Sequence, residues 1–277
     1  MTAPVLAGVS VLSGNKLEWD LMRNQLTQVN AMAMRDLISI VNRAQEMDPW
    51  SGKAYLTDAF EALVNTYGGV AGDLTATWWD EIMADDIYFA RPADMPTYDQ
   101  LRTEVAWGTA LNANGRRDVL SRMALLTQKH IFGAHRDTVD LNALNTKTGY
   151  ARMAQPDACA FCRMLASRGA VYGSESAALY VGAATVRKHY SDGHDRGYRL
   201  KQGRVRGVQA AGSKYHDHCR CVAAPIPKHI DANTPSYIDK FDDEYRKAIS
   251  ALDKINPDKP HSLSEVTKMM REQGHGK

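Results

Sequence analysis

The stretch Asp157-Ala-Cys-Ala-Phe-Cys-Arg163 places two cysteines three positions apart, and the other two cysteines of the chain lie in Tyr215-His-Asp-His-Cys-Arg-Cys-Val222. All four cysteines of the 277 residues therefore fall in two short segments. A Cys-x-x-Cys turn presents two thiolates to a single ion, and the second segment offers two more thiolates and two imidazoles. Because zinc takes four nitrogen or sulfur ligands in a tetrahedron, this pattern predicts one zinc ion that both segments bind.

The two segments contain more candidate ligands than one zinc ion needs. The candidates are Cys159, Cys162, His216, Cys219 and Cys221. We expect Cys159 and Cys162 to bind with His216 and either Cys219 or Cys221, because both His-x-x-Cys and Cys-x-Cys have metal-ligand spacing. The intervening His218 would point elsewhere in an extended chain. Four protein ligands leave no position for water, so the predicted zinc is structural rather than catalytic.

Three other interpretations of the cysteines compete with zinc. They could form disulfides in any of three connectivities, act as a redox pair, or be buried apolar thiols. Disulfides are typical of secreted proteins, and residues 1–14 lack the basic leading segment and small-residue cleavage site of a signal peptide. The sequence also has no run of about 18 apolar residues, so we expect no membrane span. Reduced thiols in a cytoplasm favour a metal.

Charge is distributed unevenly along the chain, although the net charge is only +2. Residues 1–118 contain 9 basic and 16 acidic side chains, and residues 119–228 contain 17 basic and 7 acidic ones. Residues 229–277 are close to neutral, with 8 basic and 9 acidic side chains. This asymmetry suggests a polyanionic or acidic partner for the middle of the chain. The alternative is a solvated surface on which the two halves pair internally.

Helical periodicity dominates the first 140 residues, which predicts a helical bundle as the domain 1–140. Residues 1–14 of this domain are expected to be an irregular arm. The predicted helices run from about 15 to 48, 50 to 67, 71 to 89, 97 to 111 and 116 to 135. Gly68-Gly69 is expected to end the second helix, and Ile87 to face inward from the third. Asn142 and Asn145 are expected to break the helical pattern. His130 and His135 are five positions apart and do not share a helix face, so we interpret them as surface or core residues.

The rest of the chain predicts an α+β segment over residues 141–228 and a helical tail over 229–277, which makes the fold class α+β. Residues 150–154 fit a strand, and residues 161–167 fit a short helix. In the tail, Thr234 is the expected N-cap of a helix with an apolar stripe that runs from Ile238 to Ile255. Ser262 and Glu265 have the spacing of a capping box, which predicts a last short helix.

Basic residues are concentrated in residues 187–206, with tyrosines between them. The basic side chains of this stretch are Arg187, Lys188, Arg196, Arg199, Lys201, Arg204 and Arg206. Seven cations against two aspartates suggest a phosphate-binding surface. Because no base-reading motif is present, any nucleic-acid binding is expected to be independent of sequence. The alternative is an exposed loop neutralised by counterions.

The two cysteine segments, read as Cys159-Ala-Phe-Cys-Arg-Met-Leu-Ala-Ser-Arg-Gly-Ala-Val-Tyr172 and Ala211-Gly-Ser-Lys-Tyr-His-Asp-His-Cys-Arg-Cys221, resemble the MuF-like minor head proteins of tailed phages. The resemblance is closest to versions from phages of actinobacteria. It covers about residues 150–225 specifically and the helical front only in general character. His218 departs from the pattern, because other members often have a small polar residue there.

The resemblance implies a structural zinc protein present in a few copies inside the capsid and assembled in the host cytoplasm. It also implies contact with the portal protein and other capsid-interior proteins, and a role in head morphogenesis and in DNA packaging or ejection. The same resemblance assigns ligand roles to Cys159, Cys162, His216, Cys219 and Cys221. Packaged DNA would be touched without sequence specificity.

Two enzymatic alternatives remain open from the residues. A capsid maturation protease would need a nucleophile and a base in contact, and the candidates are Ser167, Ser213, His189, His194 and His216. No Gly-x-Ser-x-Gly elbow is present. A metal-dependent nuclease is conceivable from His189, His194 and Asp195, and it would need a second metal site with an open position.

Overall fold

The computed structural model describes residues 12–13, 16–17, 19–84, 87–111, 118–167, 186–189, 195–198, 220–226, 236–257 and 261–276. The chain divides into two compact units. The first comprises Met1–Tyr150 and Tyr215–Asn233, and the second comprises Ala151–Lys214 and Thr234–Lys277. Helices dominate and the strands are short, so the expected α+β class with a helical front is confirmed at that level.

The elements follow in chain order, and most are helices. They are β1 (Leu12–Ser13), β2 (Lys16–Leu17), α1 (Trp19–Gln45), α2 (Pro49–Met83), α3 (Tyr98–Thr109), α4 (Val119–Thr146), β3 (Tyr150–Met153), α5 (Ala160–Ala166), β4 (Val186–His189), β5 (Asp195–Tyr198), β6 (Val222–Pro225), α6 (Ser236–Ile255) and α7 (Leu263–Glu272). β1 pairs with β2 and β4 with β5, both antiparallel. Within the described part of the chain, no helix is long and apolar enough to span a membrane.

The bundle of the first unit is built on α1, α2 and α4, which contact one another, while α3 packs on α2 and α4. The predicted stripe of α1 is confirmed, since Met22, Leu26 and Leu37 are fully buried. The arm before α1 is not wholly irregular, because Leu12 and Leu17 are partners in a two-stranded hairpin. α1 consequently begins at Trp19, a few residues later than the periodicity predicts.

The prediction that Gly68-Gly69 ends a helix is wrong, because α2 is continuous over 35 residues. Gly68 is buried, and the side chain of Met95 occupies the space that a Cβ at this position would need. A Cβ on Gly72 would lie 3.0 Å from Cβ of Pro92. These glycines therefore let the segment after α2 pass close to the helix rather than ending it.

The end of α2 and the length of α4 also differ from expectation. α2 ends at Met83, and Ala84 adopts a left-handed conformation with φ of 47°. Ile87, predicted to face inward from a helix, is 91 % exposed in the loop beyond it. α4 continues to Thr146, so the prediction that Asn142 breaks the helix is wrong.

Asn142 is accommodated within α4 because its side-chain amide forms hydrogen bonds with the loop that precedes α3. Its Oδ1 accepts from the Tyr88 hydroxyl at 2.6 Å and from the backbone N–H of Arg91 at 3.2 Å. Its Nδ2 donates to the carbonyls of Arg91 and Thr138 at 2.9 and 2.7 Å. All the polar atoms of this buried side chain are therefore paired, which offsets its modest helix propensity.

In the second unit α5, α6 and α7 contact one another. Ile238 and Phe241 at the start of the predicted stripe of α6 are buried, together with Val266 and Met270 of α7. The prediction is wrong for the end of the stripe, where Ile255 is 63 % exposed. The capping box at Ser262 is confirmed, because its hydroxyl accepts from the Glu265 N–H. The expected N-cap at Thr234 lies outside the described residues.

Candidate functional site

The Cys-x-x-Cys turn forms the start of α5. Cys159 is the N-cap residue, with an extended backbone (φ −65°, ψ 161°), and its carbonyl accepts the N–H of Arg163 at 3.0 Å. Cys162 lies in the first helical turn and is buried, whereas Cys159 is half-buried. Residues three apart on a helix lie on neighbouring positions of one face, so the sequence spacing brings both thiols to the same end of α5.

Arg163 fixes the loop that leads into this turn. Its Nε donates to the Ala158 carbonyl at 2.7 Å, and its Nη2 donates to the Pro156 carbonyl at 3.0 Å. Its Nη1 lies 3.1 and 3.0 Å from the two carboxylate oxygens of Glu244 on α6. The guanidinium also lies 4.9 Å from the ring centroid of Phe241. One side chain therefore holds the approach to Cys159 and joins it to α6.

Glu244 is the buried anion of this arrangement, with a side chain only 3 % exposed. His275 adds a second contact, since its Nδ1 lies 3.5 Å from the Glu244 carboxylate. The next residue, Gly276, has φ of +75°, and a Cβ there would meet the backbone of Cys159 and Ala160. The segment after α7 thus packs directly against the backbone at the start of α5, where only glycine fits.

In the first unit, the strand that follows the second cysteine segment is attached to α4. Nε of Arg136 donates to the carbonyl of Cys221 at 3.0 Å, and the Ala223 N–H donates to Nε2 of His135 at 3.0 Å. One residue before Cys221, Nε of Arg220 donates to Oε1 of Gln128 at 3.2 Å. Cys221 itself is buried. Side chains from two turns of α4 therefore position the backbone around this candidate ligand.

His135 is fully buried, and its partners define its tautomer. Because Nε2 accepts from the Ala223 N–H, the proton of the neutral ring is on Nδ1, which lies 2.8 Å from Oγ1 of Thr75. The Thr75 hydroxyl in turn donates to the Ala71 carbonyl at 2.7 Å. Burial, and then the charge of Arg136, lowers the pKa of His135 from 6.5 to about 3. His135 is thus a neutral core residue, which confirms its interpretation as structural.

His130 also has a structural partner. Its Nε2 is in contact with the carboxylate of Glu104, which Lys129 contacts at 2.6 Å. His130 further packs edge-on against the ring of Phe60, with centroids 6.1 Å apart. The partners of His130 are therefore a carboxylate and an aromatic ring, and both belong to the helical bundle.

Three of the five predicted ligands are described, namely Cys159, Cys162 and Cys221, and no disulfide joins these three to one another. His216 and Cys219 lie outside the described residues. Among the described residues, no group of three His, Cys, Asp or Glu side chains is close enough to hold a metal ion. The chemistry of the two thiols at the start of α5 nevertheless fits a soft metal, because sulfur ligands one turn apart can reach one ion.

The predicted nucleic-acid residues are only partly described. Arg187 and Lys188 lie on β4, and Arg196 lies on β5, where the backbone register pairs Lys188 with Arg196 and Arg187 with Gly197. Four further members lie outside the described residues, namely Arg199, Lys201, Arg204 and Arg206. The hairpin therefore places three basic residues of the stretch within two paired strands.

Of the residues considered for an enzyme, Ser167 has a described side chain. Its hydroxyl donates to the Met164 carbonyl at 2.9 Å, at the end of α5. This backbone contact is ordinary for a serine at a helix end and does not activate the oxygen as a nucleophile. Ser213, His194 and His216 lie outside the described residues.

Comparison with known families gives one match that covers most of the chain. The model of a family described as VG15 protein matches residues 14–248. The match includes the helical bundle, both cysteine segments and most of α6. No curated protein and no solved structure matches the chain.

Proposed function

The chain belongs to the VG15 protein family, a family of phage proteins, and from this membership we propose that it is a structural minor head protein of a tailed phage. The finer assignment, to the MuF-like group as it occurs in phages of actinobacteria, is supported by the two cysteine segments. In this proposal the protein lies inside the capsid, contacts the portal and other interior proteins, and acts in head morphogenesis and in DNA packaging or ejection.

The proposal includes one structural zinc ion. Cys159 and Cys162 would hold it together with His216 and either Cys219 or Cys221. Bound zinc would cross-link chain segments that are separated by 56 residues in sequence. The free energy of metal binding would then add to the stability of the folded chain. With four protein ligands the ion has no open position, so its contribution is to stability rather than to catalysis.

The observation that carries the zinc proposal is the organisation of the Cys-x-x-Cys turn by Arg163. The guanidinium holds the carbonyls of Pro156 and Ala158 and the carboxylate of Glu244, with distances of 2.7 to 3.1 Å. Both thiols therefore sit on a backbone that is already fixed on its approach side. Such preorganisation reduces the conformational entropy that metal binding must overcome, and it is typical of the surroundings of structural metal sites.

Zinc content and thermal melting test this part of the proposal. We expect one zinc ion per chain in wild type by elemental mass spectrometry. A strong chelator should lower Tm by about 10 °C or more. Cys162→Ser should lack the metal and melt at the chelated temperature, with no further change on adding chelator. A wild-type chain that binds no zinc and whose melting is indifferent to chelator would refute the structural metal.

The location and role are tested separately on virions. Proteomic mass spectrometry of purified particles should detect the protein, and protease treatment of intact heads should leave it uncleaved if it lies inside. A mutant phage lacking the protein should assemble fewer complete heads or eject DNA less efficiently. Absence of the protein from purified particles would exclude the minor head assignment, whatever the metal content.

DNA contact is the remaining part of the proposal, and its support is the basic stretch that begins with Arg187 and Lys188. If these residues meet phosphates, binding of random-sequence duplex DNA should weaken steeply with salt. Replacing Arg187, Lys188 and Arg196 together by Gln should reduce the slope of log K against log salt by roughly three. An unchanged slope would remove this surface from the proposal.

A further inference from the structure

Two adjoining grooves lie at the end of the helical bundle where α1 finishes and α2 begins. The first has a volume of about 570 Å³, and its lining includes Val41, Leu56 and Val119. The second has a volume of about 600 Å³, and its lining includes Trp50 and Tyr98. Lys53 and Ala106 line both grooves, so the two grooves adjoin each other at these residues.

Large apolar side chains are unusually exposed at this end of the bundle. Trp50 is 84 % exposed. Trp107, Leu111 and Leu120 are also exposed, and each directly follows a residue that lines the first groove. Among them, Trp107 is held in place by Arg122, which lies 5.1 Å from its ring centroid. Exposed apolar side chains beside formed grooves are typical of a protein-binding site.

The charges in the grooves differ in sign from those of the surrounding segment. Lys53 is exposed, and its ammonium has no ion-pair partner among the described residues. Arg102 lines the second groove and meets Asp99 only in an exposed pair, which contributes little. Among the described residues of the two linings, the one acidic side chain is that of Asp58, whose carboxylate accepts from the Tyr98 hydroxyl at 3.1 Å. The lining is therefore positive within a segment that carries 16 acidic and 9 basic residues over 1–118.

We propose that these two grooves bind one amphipathic helix of a partner protein, and that this helix carries one or two carboxylates among its apolar side chains. Its apolar side chains, spaced three or four positions apart, would enter the two grooves, and a carboxylate between them would meet Lys53. Exposed aromatic residues such as Trp50 serve well as anchors of such contacts, because they bury a large area with little loss of conformational entropy. This surface is separate from the proposed zinc site, and the proposal does not depend on that site.

The charges argue against two other occupants. A nucleic acid would experience the negative field of the 1–118 segment at long range, which slows the approach of a polyanion. A second copy of this chain, related by two-fold symmetry, would bring together two patches whose linings have the same net positive charge. A short helix with one or two carboxylates avoids both costs.

Selection from a displayed library of random 16-residue peptides would test the proposal on the full-length protein. Wild type should enrich peptides with Leu, Ile, Phe or Met at helical spacing and with Asp or Glu between them. Synthetic copies of the enriched peptides should bind about tenfold or more weakly to Lys53→Glu and to Trp50→Ala. Both changes are at exposed positions, so circular dichroism should show an unchanged fold.

Matched controls separate the grooves from general surface effects. Phe89→Ala removes another exposed aromatic side chain of the first unit, and Lys240→Glu reverses another exposed charge, on α6. Neither should change the affinity of the selected peptides. Basic or uncharged consensus peptides, or equal binding to Lys53→Glu, would overturn the proposal. So would tighter binding of oligo(dT) that is lost in the same variants, or a concentration-dependent dimer that Trp50→Ala abolishes.

Discussion

The backbone N–H of Ala223 donates a hydrogen bond of 3.0 Å to Nε2 of His135, which precedes it by 88 residues in the chain. Nε2 can accept this hydrogen bond only while the ring is neutral, because the other ring nitrogen, Nδ1, already carries a proton and contacts Thr75. Protonation would therefore replace an acceptor with a donor that faces another donor, inside a core that excludes water. This relationship makes the strand β6 dependent on the charge state of one side chain.

The first prediction concerns pH. The pKa of His135 is about 3 in the folded chain and 6.5 as its ordinary value, so below about pH 6.5 the unfolded chain binds a proton that the folded chain does not. Stability is complete above pH 6.5 and falls as pH decreases towards 3. This group alone should lower the free energy of unfolding by about 2 kcal/mol between pH 7 and pH 5. Urea unfolding at each pH measures the effect.

His135→Gln provides the comparison, because glutamine can accept from the same N–H and does not titrate. The variant should be less stable at pH 7, and its stability should change less between pH 7 and pH 5 than that of wild type. Parallel pH profiles for the two proteins would show that His135 does not control the acid response.

The second prediction concerns the ion pair beside the Cys-x-x-Cys turn. Arg163→Ala leaves the buried carboxylate of Glu244 without its main partner, so the free energy of unfolding should fall by about 3–5 kcal/mol. Arg246→Ala breaks the pair of Arg246 with Asp242 on the same helix, where the arginine is 75 % exposed, and should cost less than about 1 kcal/mol. Chemical denaturation of both variants measures the difference.

Adding Glu244→Gln to the first variant sharpens this test. If the cost comes from an uncompensated buried charge, then removing that charge should restore part of the stability lost in Arg163→Ala. Strictly additive losses would mean that Arg163 acts only through its backbone contacts with Pro156 and Ala158.

The third prediction uses two glycines of α2. A Cβ on Gly52 would collide with the backbone carbonyl of Ala44, so Gly52→Ala forces α1 and α2 apart and should cost about 2 kcal/mol or more. A Cβ on Gly69 would meet nothing within 4 Å, so Gly69→Ala should gain up to about 1 kcal/mol of helix propensity. Thermal melting reports both signs, and destabilisation by Gly69→Ala would contradict a continuous α2.

The fourth prediction compares two asparagines near the end of α4. Asn142→Ala removes four hydrogen bonds from a buried site and leaves the backbone of Arg91 unpaired, which should cost about 2–4 kcal/mol. Asn145 makes one contact, with the Tyr88 hydroxyl at 3.2 Å, and Asn145→Ala should cost less than about 1 kcal/mol. Limited proteolysis should find the 87–97 loop cleaved faster in the first variant alone.

Local signals in the sequence predicted the parts of the fold that depend on local physics. The stripe through Leu26 and Leu37 predicted α1, and the spacing of Ser262 and Glu265 predicted the start of the last helix. In both cases the partners lie within a turn or two of each other. The spacing of the expected zinc ligands Cys159 and Cys162 likewise predicted that one short turn presents both thiols, whereas the metal itself stays a prediction.

Three features that the sequence did not indicate share another cause, because each depends on a partner distant in sequence. Glycine is typical of a helix end, and Gly68 lies inside α2 because the side chain of Met95 packs against the helix at this position. Asn142 has low helix propensity, which its contacts with Tyr88 and Arg91 offset. Arg163 has its carboxylate partner 81 residues away, and no spacing rule indicates that pair.

The attachment of β6 to α4 also constrains how the chain can fold during synthesis. The last described helix of the first unit ends at Thr146, yet the core of this unit is completed by residues 220–226, which supply the partners of His135 and Arg136. A ribosome must therefore translate more than seventy further residues before this bundle can close, which takes several seconds at roughly 5–20 residues per second. Until then the face of α4 around His135 lacks its native cover, and the nascent chain is open to chaperones and to premature association at that face.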